Sequence, residues 1–292
     1  MRREIGIIGI ICCIGGAFAL GWFIPALIPE EEPSPEVPKI PERPKEPEIP
    51  EEPQEPEEVE EPPIPLVDEI KARGYINVGT SADYPPFENL NISTGEIVGF
   101  DIDLSAMIAA ELNVTLQMTD IPFDSLITAC VSGTVDMIAA AMSYNPSRAT
   151  ALAPSITYIN VSQVVIVKNN SLLSQISSLD NLTTYTVGCQ MGSIMQSELE
   201  AIPGIIVITY ANASILIQNL IAGSIDAAYV EEPILTVWSN TEALRTIFST
   251  GSDSLALWSR WEEPELQYVI NKVIFEAYQT GTIYDLMMTW FG

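Results

Sequence analysis

Residues 99–112 read GFDIDLSAMIAAEL, and residues 121–148 read IPFDSLITACVSGTVDMIAAAMSYNPSR. In the first, the apolar residues of Leu104–Leu112 recur at helical spacing, behind a Gly-Phe-Asp entry. Val114–Met118 then reads as a strand, Phe123–Ser132 as a helix closed by Gly133, and Val135–Ala140 as a buried strand. That strand runs into a polar loop, Ser143–Arg148. A shorter echo, AGSIDAAYVEEP, occupies Ala222–Pro233 and again places a Gly-x-x-Asp before a strand that ends on an acid. Helix and strand in alternation predict a mainly parallel sheet with crossover helices.

The same alternation continues on both sides. Upstream, Leu66–Arg73 reads as a short helix stopped by Gly74, and Tyr75–Thr80 as a strand broken by Tyr84-Pro85-Pro86-Phe87. Downstream, Val161–Lys168 reads as a strand crossing into a second lobe. It is followed by the strand Thr186–Cys189, the turn Gln190–Ser193 and a helix from Ile194. Then come the strand Ile205–Tyr210, the helix Ser214–Ala222 and the strand Ile225–Val230. The tail Glu262–Phe291 reads as two helices split by Gly281. No period of 20 to 50 residues repeats, which excludes a solenoid.

The first 65 of the 292 residues are of another kind. Arg2 and Arg3 precede Ile5–Ile28, which carries no charge. At ~1.5 Å per residue this run reaches roughly 36 Å, enough to cross a bilayer. The arginines predict a cytoplasmic start and an external remainder. A cleaved signal peptide ending at Ala17-Phe18-Ala19 is the alternative. Lipid on Cys12 or Cys13 is disfavoured by the bulky isoleucines ahead of them. Pro29–Pro65 is nearly all Pro and Glu, cannot bury apolar surface, and predicts a disordered, extended spacer. Its fourteen Glu against three Lys or Arg supply eleven of the 27 net negative charges.

An acidic chain without basic patches argues against nucleic acid. The absence of histidine removes His-dependent bases, triads and the common zinc sites. No cofactor or metal is expected. Cys130 and Cys189 are predicted in different lobes and unpaired. Six Asn-x-Ser/Thr sequons, at Asn91, Asn113, Asn160, Asn169, Asn181 and Asn212, exceed the roughly two expected by chance and fit an exported protein.

In parallel α/β sheets ligands bind beyond the carboxyl ends of strands, where helix N-termini offer free amides. This rule selects the loops Ser81–Phe87, Ala141–Arg148, Gln190–Ser193 and Val230–Pro233. The motifs quoted above, with the closing INKVIFEAYQTGTIYDLMMTWFG, resemble the polar amino-acid-binding family of ABC-transporter solute-binding proteins. The resemblance covers Leu66–Gly292 and selects the same four loops. It implies an α/β, two-lobed, type II periplasmic-binding-protein clamp, with lobe 1 at 66–158 plus 254–292 and lobe 2 at 159–253. Segments 1–28 and 29–65 would be its anchor and linker.

The resemblance also implies roles. Arg148 grips the ligand α-carboxylate, which a planar guanidinium can do with two parallel bonds. Ser143 and Ser193 offer hydroxyl and amide to that carboxylate, and the Ala141 carbonyl accepts from the ligand ammonium. Glu231 is the anion for the ammonium, where the family more often carries Asp; Glu232 is its solvated neighbour. Tyr84 and Phe123 sandwich the aliphatic part, and Gln190 and Val230 tune side-chain choice. Ser81 stands where binders of cationic amino acids often carry Asp, so polar or neutral ligands are favoured. Asp226 is read as structural.

The expected function is a membrane-tethered, monomeric, non-enzymatic receptor outside the cytoplasm, delivering an amino acid to an ABC permease. A sensor ectodomain working through a separate membrane partner is the alternative, since only four residues precede the span and nothing follows the clamp. A dehydratase on the same fold is a further alternative, disfavoured by the missing histidines.

Overall fold

A computed structural model of the chain describes residues 64–238 and 243–292. The expected anchor and Pro/Glu spacer lie outside the described residues, apart from the last two positions of the spacer. No helix among the described residues is long and apolar enough to cross a membrane.

Two five-stranded sheets organise the chain. The first has the order Thr115–Asp120, Tyr75–Thr80, Met137–Ile138, Trp258–Ser259, Ala153–Pro154. The second has the order Ile206–Tyr210, Thr186–Gln190, Ala227–Glu231, Ile159–Lys168, Leu244–Leu255. In each, the first three strands are parallel, and the fourth is antiparallel to both of its neighbours. The expectation of a mainly parallel architecture is thus corrected to two mixed sheets of matching design. The antiparallel members are the chain's crossings: Ile159–Lys168 leaves the first sheet region, and Leu244–Leu255 pairs with it on the way back.

The echoed Gly-x-x-Asp motifs do the same work in both sheets. The Asp136 amide donates to the Asn77 carbonyl (2.8 Å), and its carboxylate accepts from the Asn77 amide (2.7 Å) and from Arg73. Asp226 does likewise with Thr186, at 2.9 and 2.8 Å. One aspartate therefore fixes the start of each central strand, in keeping with the structural reading of Asp226.

Helices Leu66–Arg73, Phe100–Leu112, Pro264–Thr280 and Thr282–Phe291 pack around the first sheet. Gly74 ends the first helix at φ 81, a left-handed conformation that costs glycine little. The tail returns to this region: Phe291 packs its ring 5.2 Å from Phe87 and 5.6 Å from Phe100, which stacks on Tyr158. Each such buried aromatic removes enough apolar area from water to stabilise the fold by about 1.5–3 kcal/mol.

Several bounds shift. Val135–Ala140 is fully buried, but only Met137–Ile138 keeps ladder pairing. The helix expected over Phe123–Ser132 opens as a 3-10 turn, Phe123–Ser125, before Leu126–Val131. Asp83–Tyr84, inside the loop read over Ser81–Phe87, forms a small antiparallel sheet with Glu88–Leu90 and Ile97–Val98, which were given no reading. Cys130 and Cys189 are free and buried, with thiols pushed up to about 12 by burial.

Candidate functional site

A tightly closed cavity of about 10 Å³ lies where loops of the two sheets face one another. Its walls are Tyr84, Phe123, Ala140, Ala141, Ser143 and Arg148 from one side, and Gln190, Ser193, Ile194 and Glu231 from the other. Eight of the ten expected site residues are therefore brought together; Ala140 and Ile194 were missed. Val230, read as a selectivity position, packs into the hydrophobic core instead.

Arg148 opens the 3-10 turn Arg148–Thr150 and is 8% exposed. Its guanidinium donates to the Ser143 carbonyl (2.8 Å) and across the cleft to the Gly192 carbonyl (2.9 Å), and it lies 5.5 Å from the Phe123 ring centroid. Among the described residues it makes no ion pair. Burial lowers its pKa, with Glu231 and Asp253 pulling the other way. Arginine stays charged nonetheless. The result is a cation inside the protein whose direct bonds are to neutral carbonyls, a setting that favours an anionic partner.

Glu231 ends the strand Ala227–Glu231 and is 7% exposed, whereas Glu232 is exposed. The Tyr84 hydroxyl donates to the Glu231 carboxylate, and the Glu231 amide donates to the Tyr84 hydroxyl oxygen at 3.2 Å. Burial raises the Glu231 pKa to about 7, against the lowering effect of the Tyr84 bond and, more weakly, Arg148. One wall thus offers a fixed cation and the other an acid poised near neutrality.

The remaining walls are set by neighbours that sequence reasoning did not assign. Ala141 sits at φ 44, and its amide donates to Asp101 at 2.8 Å, so the Gly-Phe-Asp motif holds this loop. Asp101 also accepts from the Tyr158 hydroxyl at 3.0 Å, and burial raises its pKa to about 7. The Ser143 hydroxyl donates to Asp253, which accepts from Gln163 as well (3.2 Å). With its one proton committed there, that hydroxyl presents lone pairs to the cavity rather than the donor expected from the family role. The Ser193 amide and hydroxyl both donate to the Gln190 carbonyl (3.3 and 2.7 Å), so they too are engaged within the protein. By contrast the buried Gln190 side-chain NH₂ has no hydrogen-bond partner, which leaves a donor on the cavity wall.

Ser81, like Val230, is an expected site residue that the structure places elsewhere. Its hydroxyl donates to Asp83 (2.8 Å), and together they border a separate cleft with Asp120 and Asn212. Asp83, 8% exposed, accepts from the Ala213 amide at 2.6 Å, the first residue of helix Ala213–Ala222. A residue beside the first sheet thus caps a helix packed on the second. The physical reason is register: Ser81 falls one residue beyond the strand Tyr75–Thr80, with its side chain held toward Asp83. No cluster of three or more potential metal-ligating side chains occurs among the described residues.

The family model of bacterial extracellular solute-binding proteins, family 3, matches residues 76–292. The arginine-binding extracellular protein ArtP of Bacillus subtilis is 30% identical over 222 residues, which is 73% of this chain and 85% of that one. Among solved structures, a mutant of ArgBP from T. maritima matches with a TM-score of 0.74 and 31% identity, over 77% of this chain and 98% of the other. An ancestral amino acid-binding protein, described as a precursor of cyclohexadienyl dehydratase, matches with a TM-score of 0.73 and 28% identity, over 78% and 100%.

Proposed function

Since the chain belongs to the bacterial extracellular solute-binding proteins of family 3, we propose that it is an extracytoplasmic receptor whose lobes, 66–158 with 254–292 and 159–253, close on one free amino acid and deliver it to an ABC permease. The observation that carries this reading is the pairing of Arg148 and Glu231 on facing walls of one buried cavity. That pair complements an α-carboxylate and an α-ammonium, and each dry charge offsets the desolvation of its counterpart. Tyr84 and Phe123 supply apolar faces, and the unpartnered Gln190 NH₂ supplies a donor for a ligand acceptor.

The ligand class is α-amino acids without exclusion of cationic ones. The preference for neutral ligands rested on Ser81, which lies outside the cavity walls. The ArtP relative is itself named for arginine. The uncharged run Ile5–Ile28 would tether the receptor, with Pro29–Pro65 as its spacer. No proton-transfer role is needed for any wall residue, and the neighbour described as a dehydratase precursor is itself an amino acid-binding protein.

A thermal-shift screen of the full-length protein against the twenty L-amino acids, common sugars and divalent metals tests this. An amino acid at 100-fold its dissociation constant should add about 2.7 kcal/mol of stability. Stabilisation by sugars or metals alone would refute the assignment.

A further inference from the structure

The six sequons have no place in ligand capture. Thirteen asparagines occur in the chain, and six of them begin Asn-x-Ser/Thr. Ser plus Thr make up about 14% of residues, so about two such triplets are expected by chance. None of the six asparagines lines the cavity. Asn113, Asn160, Asn169 and Asn181 are exposed, while Asn91 and Asn212 are half-buried.

The atom that would be modified is Nδ2, and at Asn91, Asn160 and Asn181 the side-chain hydrogen bonds fall on the other end of the amide. Asn91 Oδ1 accepts from the Ser93 amide (3.0 Å) within a surface turn. Asn160 Oδ1 accepts from the Ser254 hydroxyl (2.7 Å), and Asn181 Oδ1 from the Ser178 hydroxyl (2.9 Å). Asn113 stands exposed at the C-cap of helix Phe100–Leu112, with φ 57. Of the asparagines outside sequons, Asn77 and Asn219 spend Nδ2 on the carbonyls of Thr134 and Ile215, each at 2.9 Å, whereas Asn145 and Asn271 accept through Oδ1. At Asn91, Asn160 and Asn181 the amide oxygen is thus the anchored end.

We propose that Asn91, Asn113, Asn160 and Asn181 are N-glycosylation sites on the external face of the folded part. The donor is a lipid-linked oligosaccharide acted on by a membrane transferase. The bond from Asn Nδ2 to the anomeric carbon forms as the bond from that carbon to the lipid phosphate oxygen breaks. The phosphate leaves with the lipid, and Nδ2 gives up one proton. Oxidation states do not change. Attachment at these positions breaks none of the bonds above, because each uses Oδ1. Asn212 is left out. It borders the cleft holding Asp83, where a sugar would obstruct the approach of one side to the other.

The test is intact-mass and peptide mass spectrometry on full-length protein purified from the cells that naturally make it. The expected result is a mass above the 31.9 kDa of the polypeptide, with saccharide additions on peptides carrying the four named asparagines and none on those of Asn77, Asn212 or Asn219. Ser93→Ala and Ser162→Ala should abolish the additions at Asn91 and Asn160 while leaving both asparagines in place. A mass no greater than the polypeptide's, or sugar confined to Asn212, would overturn the proposal. Neither result bears on amino-acid capture, which the thermal-shift screen reads separately.

Discussion

Glu231 links ligand affinity and intrinsic stability to pH with opposite signs. Burial raises its pKa to about 7 from a usual 4.5, so the protonated acid is the favoured form inside the protein. A carboxyl raised in this way contributes stability that is fully present below about pH 4.5 and is lost as pH climbs through 7. The interval of two to three pH units corresponds to about 3 kcal/mol. Binding an ammonium requires the carboxylate, so affinity should rise over the same interval. The ionised fraction grows from about 1% at pH 5 to about 90% at pH 8, and the apparent dissociation constant should fall roughly 100-fold. The assay is calorimetric titration at pH 5, 6, 7 and 8 with the amino acid giving the largest thermal shift, beside melting curves without it. Glu231→Gln imitates the neutral acid. It should bind poorly at every pH, and should be more stable than the parent at pH 8 but not at pH 5. A dissociation constant flat across this range, or Glu231→Gln binding normally at pH 8, would refute the reasoning.

Arg148→Lys keeps the charge but not the bidentate geometry, and should weaken binding by about 2–5 kcal/mol, roughly 30- to 5,000-fold by titration. Glu232→Gln, on an exposed carboxylate, should leave affinity nearly unchanged. Asp83→Ala removes a charged hydrogen bond worth about 1.5–3 kcal/mol, so affinity should drop roughly 10- to 150-fold, by the same factor for every amino acid bound. A factor that varied with the ligand side chain would count against this. Gly99→Ala should lower stability by at least about 2 kcal/mol in thermal unfolding, since φ is 150 and an added Cβ would overlap the Phe87 carbonyl.

What could be read from the sequence followed local signals. Tyr75–Thr80 alternates and is bounded by Gly74, so its span was legible residue for residue. The cavity walls were legible because strand ends and family register point to the same loops. Leu244–Leu255 was not. Its sequence, LRTIFSTGSDSL, has neither period, none of its residues up to Ser252 is fully buried, and its ladder with Ile159–Lys168 is broken twice by register shifts. Pairing with a distant strand makes it a strand, and Asp253, which it carries to Ser143, was invisible for the same reason. Side-chain partners were lost too. Nothing local reveals that the Ser193 hydroxyl turns back to its own loop or that Ser81 turns toward Asp83.

The Asp83 contact with helix Ala213–Ala222 is formed away from the cavity walls. Contact between the two halves and the lining of the cavity are thereby assigned, at this point, to different side chains. Gln190 and Phe123 line the cavity, whereas Asp83 does not, so substitution at either wall residue leaves the Asp83–Ala213 hydrogen bond in place. Diversification of such a receptor can then proceed one wall residue at a time, without re-evolving its closure.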